Sequence, residues 1–133
     1  MTPAIFGLSG TTLTPDERDF FRESRPAGFI LFGRNIENRQ QLRTLTDSLR
    51  DIDGRGDAPI LIDQEGGRVA RMRPPMWPAF PCGQTFDALY DRAPATAIEA
   101  ARLNALALAA MLREVGITVD CLPLLDVRQH GAS

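Results

Sequence analysis

The sequence predicts an α/β fold built on a parallel sheet, and three observations lead there. Four short apolar runs alternate with longer segments of helical character. One of those runs, Gly28-Phe29-Ile30-Leu31-Phe32, is apolar throughout, as a strand covered on both faces is. Another, Ile60-Leu61-Ile62, gives way abruptly to Asp63-Gln64-Glu65-Gly66-Gly67-Arg68-Val69-Ala70-Arg71. A buried strand there delivers polar groups into a loop at its carboxyl end, where parallel α/β folds bind ligands.

Taken in order, Ala4 to Leu8 reads as a first strand, followed by a loop at Gly10-Thr11-Thr12. A helix then starts clearly: Thr14 is an N-cap, Pro15 suits the first helical position, and Glu17 completes a capping box. Phe20 and Phe21 form its apolar side, and Arg25-Pro26 ends it, because a residue before proline avoids the helical region. Gly28 to Phe32 is the second strand. After the turn Gly33-Arg34-Asn35, Asn38 caps a helix running to about Arg50, with Leu42, Leu45 and Leu49 at helical spacing. The polar loop Asp53 to Asp57 leads into the third strand, Ile60 to Asp63.

Four prolines between Arg73 and Pro81 exclude regular helix and leave a stiff, extended segment. Its Trp77 and Phe80 either line a ligand groove or pin the loop to the body of the protein. From Pro94 to Val115 an alanine- and leucine-rich stretch predicts a long helix that stops at Gly116. That helix is apolar nearly all round, which predicts cover from neighbours as well as from the sheet. A fourth strand follows at Ile117 to Leu122, and Asp126 is carried out beyond it.

Composition narrows the function classes. A chain of 133 residues with 44% hydrophobic and 24% charged residues suits one modest domain with a core. A formal charge of -2 makes no electrostatic case for nucleic acid or an anionic membrane. No uninterrupted apolar run reaches the roughly 18 residues of a membrane span, and the amino terminus lacks the pattern of a secretory signal. A cytoplasmic setting is the default. Cys82 and Cys121 fit no metal or redox spacing and read as reduced, packed thiols. The alternation of elements fits either an open α/β sheet or about half of a barrel that needs ~250 residues.

Three segments, Gly28-Phe29-Ile30-Leu31-Phe32-Gly33-Arg34-Asn35, Asp63-Gln64-Glu65-Gly66-Gly67-Arg68-Val69 and Leu122-Pro123-Leu124-Leu125-Asp126-Val127, stand in one order and spacing. Together they resemble the amino-terminal half of a glycoside hydrolase family three β-N-acetylhexosaminidase. The resemblance covers essentially the whole chain. It implies the first half of a (β/α)8 TIM-type barrel, truncated after about the fourth strand, so that residues 1–133 are the amino-terminal part of one barrel domain. It also implies removal of terminal β-linked N-acetylglucosamine from muropeptides in bacterial peptidoglycan recycling, by a retaining mechanism and with neither a metal nor an organic cofactor.

Retaining glycosidases need a nucleophile and a proton donor on opposite sides of the anomeric carbon. In the family the nucleophile is a late aspartate and the acid/base a histidine near a Lys-His-Phe-Pro-Gly-His motif, and neither segment is in this sequence. No catalytic residue is therefore assigned. Two substrate-binding positions follow from the resemblance. Asp63 matches an aspartate that clamps sugar hydroxyls, as a carboxylate accepting two hydrogen bonds can. Arg71 matches an arginine of the same pocket, where its fork donates directed bonds. The competing structural role is a pairing of Asp63 with Arg68 or Arg71 that braces a turn made possible by Gly66 and Gly67. Glu65 and Arg68 read as loop scaffolding.

Other combinations are weaker. A catalytic Asp63–Asp126 pair conflicts with the family's placement of its nucleophile. Asp63, Glu65, Asp126 and His130 lack recognised metal-ligand spacing. His130 reads as a solvated residue. Glu65-Gly66-Gly67-Arg68 lacks a phosphate-loop pattern, and its acids oppose an anion. The expectation is an inactive portion of a hydrolase that acts on a β-N-acetylglucosaminide; the alternative is a non-catalytic sugar-binding or subunit-forming module. Open strand edges further predict self-association.

Overall fold

The computed structural model describes residues 1–52 and 54–124. The elements are β1 (Thr2–Phe6), α1 (Pro15–Ser24), β2 (Pro26–Leu31), α2 (Arg39–Asp51), β3 (Ile60–Ile62), α3 (Gly83–Tyr90), α4 (Pro94–Glu114) and β4 (Val119–Asp120). All four strands are parallel and lie in the order β1-β2-β3-β4.

That order distinguishes the two architectures left open by the element pattern. Right-handed crossovers between successive neighbouring strands put every helix on one face, whereas a doubly wound sheet reverses its order to cover both. The sheet is thus the first half of a (β/α)8 barrel. Phe29, Leu31, Ile60 and Ile62 are buried with Leu42, Leu45 and Leu49 of α2, Phe21 of α1, and Leu108, Met111 and Leu112 of α4. On the opposite face Ile30, Leu61 and Val119 form a row in register, and Val119 is exposed. This is the surface that lines the interior of a barrel.

Local chemistry accounts for the ends of the elements. Thr14 Oγ1 accepts from Glu17 N at 3.1 Å, and Glu17 Oε2 accepts from Thr14 N at 3.0 Å, so both halves of the capping box form. Glu17 Oε1 also accepts from Ser9 N, tying α1 to the loop after β1. Arg25 closes α1 in the left-handed region at φ 46, and Pro26 then opens β2 at a strand-initial position that proline tolerates. Asn38 Oδ1 caps α2 through Gln41 N at 2.9 Å. Thr46 of α2 donates to Val115 O at 2.8 Å, and Arg50 donates to Gly116 O at 2.6 Å, binding α2 to the end of α4.

Several expectations need correction. β1 and β2 begin two residues earlier than their apolar runs suggest, and β4 pairs over only Val119–Asp120. The segment after the prolines contains α3, an eight-residue helix with no fully buried residue, whose apolar side is little more than Phe86 and Leu89, one turn apart. α4 is not covered all round: Ile98, Leu103 and Leu106 are more than half exposed. Its 21 residues, with a mean hydropathy of 1.3 over an 18-residue window, reach the length and apolarity of a membrane crossing. Its Leu108 and Leu112 nevertheless pack into the core, and its outer side carries the Arg102–Glu99 ion pair. Trp77 is buried in the core under Arg39, which also donates to Met76 O. It pins the proline segment rather than lining a groove. Both cysteines are free, but Cys82 is exposed rather than packed.

Candidate sugar-binding site

β3 brings Asp63 to the rim of the sheet, one residue beyond the last paired position, Ile62. By alternation Asp63 points to the same face as Leu61, the open one. The backbone then folds tightly, with Glu65 N and Gly66 N both donating to Val69 O, at 2.9 and 3.1 Å. Gly66 (φ 92) and Gly67 (φ 58) occupy the left-handed half of backbone space. The proline segment presses directly on them: a Cβ on Gly66 would collide with Pro81 O, and one on Gly67 would lie 2.7 Å from Cys82 Cβ. Gly67 N donates to Phe80 O at 2.8 Å.

Gln64 holds the far side of this loop. It is 1% exposed, and its Oε1 accepts from Arg71 N at 2.8 Å and Met72 N at 2.9 Å while its Nε2 donates to Met72 O at 2.9 Å. Its own backbone N donates to Asp120 Oδ1 of β4. The chain is thereby turned back so that Arg71 returns to Asp63, and Arg71 Nη2 donates to Asp63 Oδ2 at 2.9 Å. Both side chains are about a quarter exposed, 29% and 27%. The sequence left Arg68 and Arg71 as alternative partners; the structure pairs Arg71, and Arg68 is exposed, contributing its carbonyl to Arg73.

Asp63 also faces β4. Burial raises the Cys121 thiol, and the hydrogen bond with and charge of Asp63 raise it further. Burial likewise lifts the Asp120 carboxyl above its ordinary range, with the nearby charges of Asp63 and Glu65 adding to it and the amides of Gln64 and Cys121 opposing. On the other flank Arg34 Nε donates to Leu8 O at 2.7 Å, and buried Asn35 donates to Leu8 O and Gly10 O, stapling the loops after β1 and β2.

Asp126 and His130 lie outside the described residues, so the Asp63–Asp126 pair and the cluster with His130 have no geometry here. Among the described residues no three His, Cys, Asp or Glu side chains are grouped to hold a metal. Gln64, Asp120 and Arg34 were not singled out from sequence. Gln64 carried one available signal, an amide amid acids directly after a buried strand.

A singly wound parallel sheet that presents a carboxylate and a guanidinium at the carboxyl end of a strand has the layout of the ligand-binding end of a (β/α)8 barrel. The chain belongs to glycoside hydrolase family three, whose "Glycosyl hydrolase family 3 N terminal domain" matches residues 10–133. It is 39% identical over 98% of its length to a beta-hexosaminidase of Bordetella avium, and 38% identical over 92% to one of Xanthomonas oryzae pv. oryzae. It spans 37% and 36% of those relatives. Its fold superposes on a crystal structure of NagZ from Neisseria gonorrhoeae in complex with N-trifluoroacetyl-D-glucosamine, with a TM-score of 0.88 and 29% identity, covering 95% of this chain and 37% of that one. A family three beta-N-acetylglucosaminidase from Paenibacillus superposes at 0.80 and 29% identity, covering 92% and 23%.

Proposed function

We propose that this chain forms part of the sugar pocket of a retaining glycoside hydrolase that removes terminal β-linked N-acetylglucosamine from muropeptide-like substrates in the cytoplasm. The observation that carries this reading is the 2.9 Å Arg71–Asp63 contact at the carboxyl end of β3. Asp63 Oδ2 is oriented by Arg71, which leaves Oδ1 to accept from a sugar hydroxyl, while Nη1 of Arg71 can donate to a neighbouring hydroxyl oxygen. This pair fixes the orientation of a terminal sugar and supplies neither nucleophile nor proton donor. Kinship with beta-hexosaminidases supports the substrate class.

The 133-residue chain alone binds without cleaving on this reading. Incubation with a chromogenic β-N-acetylglucosaminide should release no chromophore, while N-acetylglucosamine should perturb the amide resonances of residues 63–72. Turnover at an ordinary glycosidase rate, or unmoved resonances, would refute it. The exposed edge of β4 and the apolar outer side of α4 favour self-association of the isolated chain.

A further inference from the structure

The rim of the sheet is divided by charge. Asp63, Glu65 and Asp120 stand toward β4, close enough for the first two to raise the proton affinity of the third. Toward β2 a cleft of about 630 Å³ opens between the loops that follow β2 and β3, lined by Phe32, Gly33, Arg34, Ala70, Arg71 and Arg73. Three guanidinium groups line it and no carboxylate does. Among the described residues only Arg71 of the three has an acidic partner, Asp63, so two of the charges are uncompensated.

These arginines are held in place with donors to spare. Arg34 lies with its guanidinium carbon 4.7 Å from the centre of the Phe32 ring and uses Nε on Leu8 O, leaving both of its Nη groups without an acceptor among the described residues. Gly7 makes room beneath it, since a Cβ there would approach Arg34 Nη2 to 3.3 Å. Arg73 uses Nε on Ala70 O and Nη2 on Arg68 O, which leaves Nη1. Arg71 uses Nη2 on Asp63 Oδ2, which leaves Nη1, while its Nε is buried away from the cleft. Like charges fixed together by backbone carbonyls repel one another, and the planar forks match a carboxylate or phosphate that would relieve the repulsion.

We propose that this cleft is an oxyanion subsite, which takes a carboxylate or phosphate group carried by the glycoside that Asp63 and Arg71 hold. The inference rests on the proposed sugar site for its second half only; the cleft itself is defined by Arg34, Arg71 and Arg73. It implies that an anionic group on the glycoside adds to the hold that Asp63 and Arg71 have on its terminal sugar.

Calorimetric titration of the 133-residue chain at low salt tests this with inorganic phosphate, N-acetylglucosamine, N-acetylglucosamine 6-phosphate and glucuronate. At least one charged sugar should bind about tenfold tighter than N-acetylglucosamine, the gain of a single charge-assisted contact. Added salt should erode that advantage. Arg34→Gln and Arg73→Gln should each reduce it while leaving the affinity for N-acetylglucosamine unchanged; the second variant tests the cleft should the first loosen the loop after β1. Preference for the phosphate or the carboxylate sugar identifies the anion. Equal affinity for charged and neutral sugars, or an advantage that survives both substitutions, overturns the proposal. Binding of inorganic phosphate that Arg34→Gln abolishes, with no binding of any sugar, supports the cleft and refutes the sugar site, so the two readings fail separately.

Discussion

Arg71 Nη2 reaches back eight residues to Asp63 Oδ2 at 2.9 Å, closing the loop that begins where β3 ends. The pair is partly shielded, with about a quarter of each side chain exposed, so its contribution to stability is modest, about 1 kcal/mol. Its value for binding is larger, because each partner orients the other's remaining hydrogen-bonding atoms. Asp63→Asn should lower the unfolding free energy by about that amount and weaken N-acetylglucosamine at least tenfold, the loss of one hydrogen bond to a charged group. Chemical denaturation and sugar titration of one sample separate the effects. Unaltered sugar affinity would assign the pair to bracing the turn.

Gln64 meets a harsher test. Truncation to alanine strips the backbone amides of Arg71 and Met72 and the Met72 carbonyl of the one side chain that satisfies them, and the two Met72 bonds are buried. Unsatisfied buried groups cost about 1–3 kcal/mol each. Gln64→Ala should therefore destabilise the chain by roughly 3 kcal/mol or more, exceeding the Asp63→Asn effect. Urea unfolding that ranks the two in the opposite order would contradict this account of the loop.

The two motif glycines are fixed by different neighbours. Gly66→Ala places a methyl group against Pro81 O from a backbone at φ 92, a combination of clash and strain that should cost about 3 kcal/mol. A similar loss is expected for Gly67→Ala, where the obstacle is Cys82 Cβ. Cys82→Gly should recover part of the Gly67→Ala loss and none of the Gly66→Ala loss. Thermal melts of the four variants form the test.

Asp120 gives a pH signature. Burial, the largest cause, and the charges of Asp63 and Glu65 raise its carboxyl above the ordinary value, against the opposing amides of Gln64 and Cys121. A raised folded-state pKa means stability that is fully present below the unfolded value and is lost as pH climbs through the folded one. Asp120→Asn keeps an oxygen for Gln64 N and removes the titration. The variant should thus gain stability relative to the parent as pH rises from the ordinary carboxylate range toward neutrality, with the difference vanishing in more acid solution. Parallel stability curves across that range would rule this out.

How much of this was legible in the sequence depended on whether a feature announces itself locally. Thr14, Pro15 and Glu17 specify a helix start with their own side chains, and Asn38 caps α2 in the same way, so both were readable. The apolar runs gave the strands, although their ends shifted with pairing partners that lie far away in sequence. α3 was hidden because an eight-residue helix whose partly buried side is Phe86 and Leu89 alone shows too little periodicity to read. The apolar character of α4 was read correctly but not its environment, since periodicity does not reveal which faces meet a neighbour. At the site, Asp63 and Arg71 were reachable through a family resemblance. Gln64 and Asp120 act through contacts that span 8 and 56 residues, and no spacing rule links them.

The exposed side of α4 leads to the last expectation. Ile98, Leu103 and Leu106 are 62%, 52% and 54% exposed, and among the described residues the strand β4 has a sheet partner on one side only. Apolar side chains beside an unpaired strand edge favour association, by burial and by added backbone pairing. Light scattering should give a mass that rises with concentration. Leu103→Lys and Leu106→Lys together place charges on that side without touching the core, so they should shift the distribution toward monomer with little change in the melting temperature of the monomer. A chain that stays monomeric at high concentration, or a double variant that associates as strongly as the parent, would show that this side of α4 is not the adhesive one.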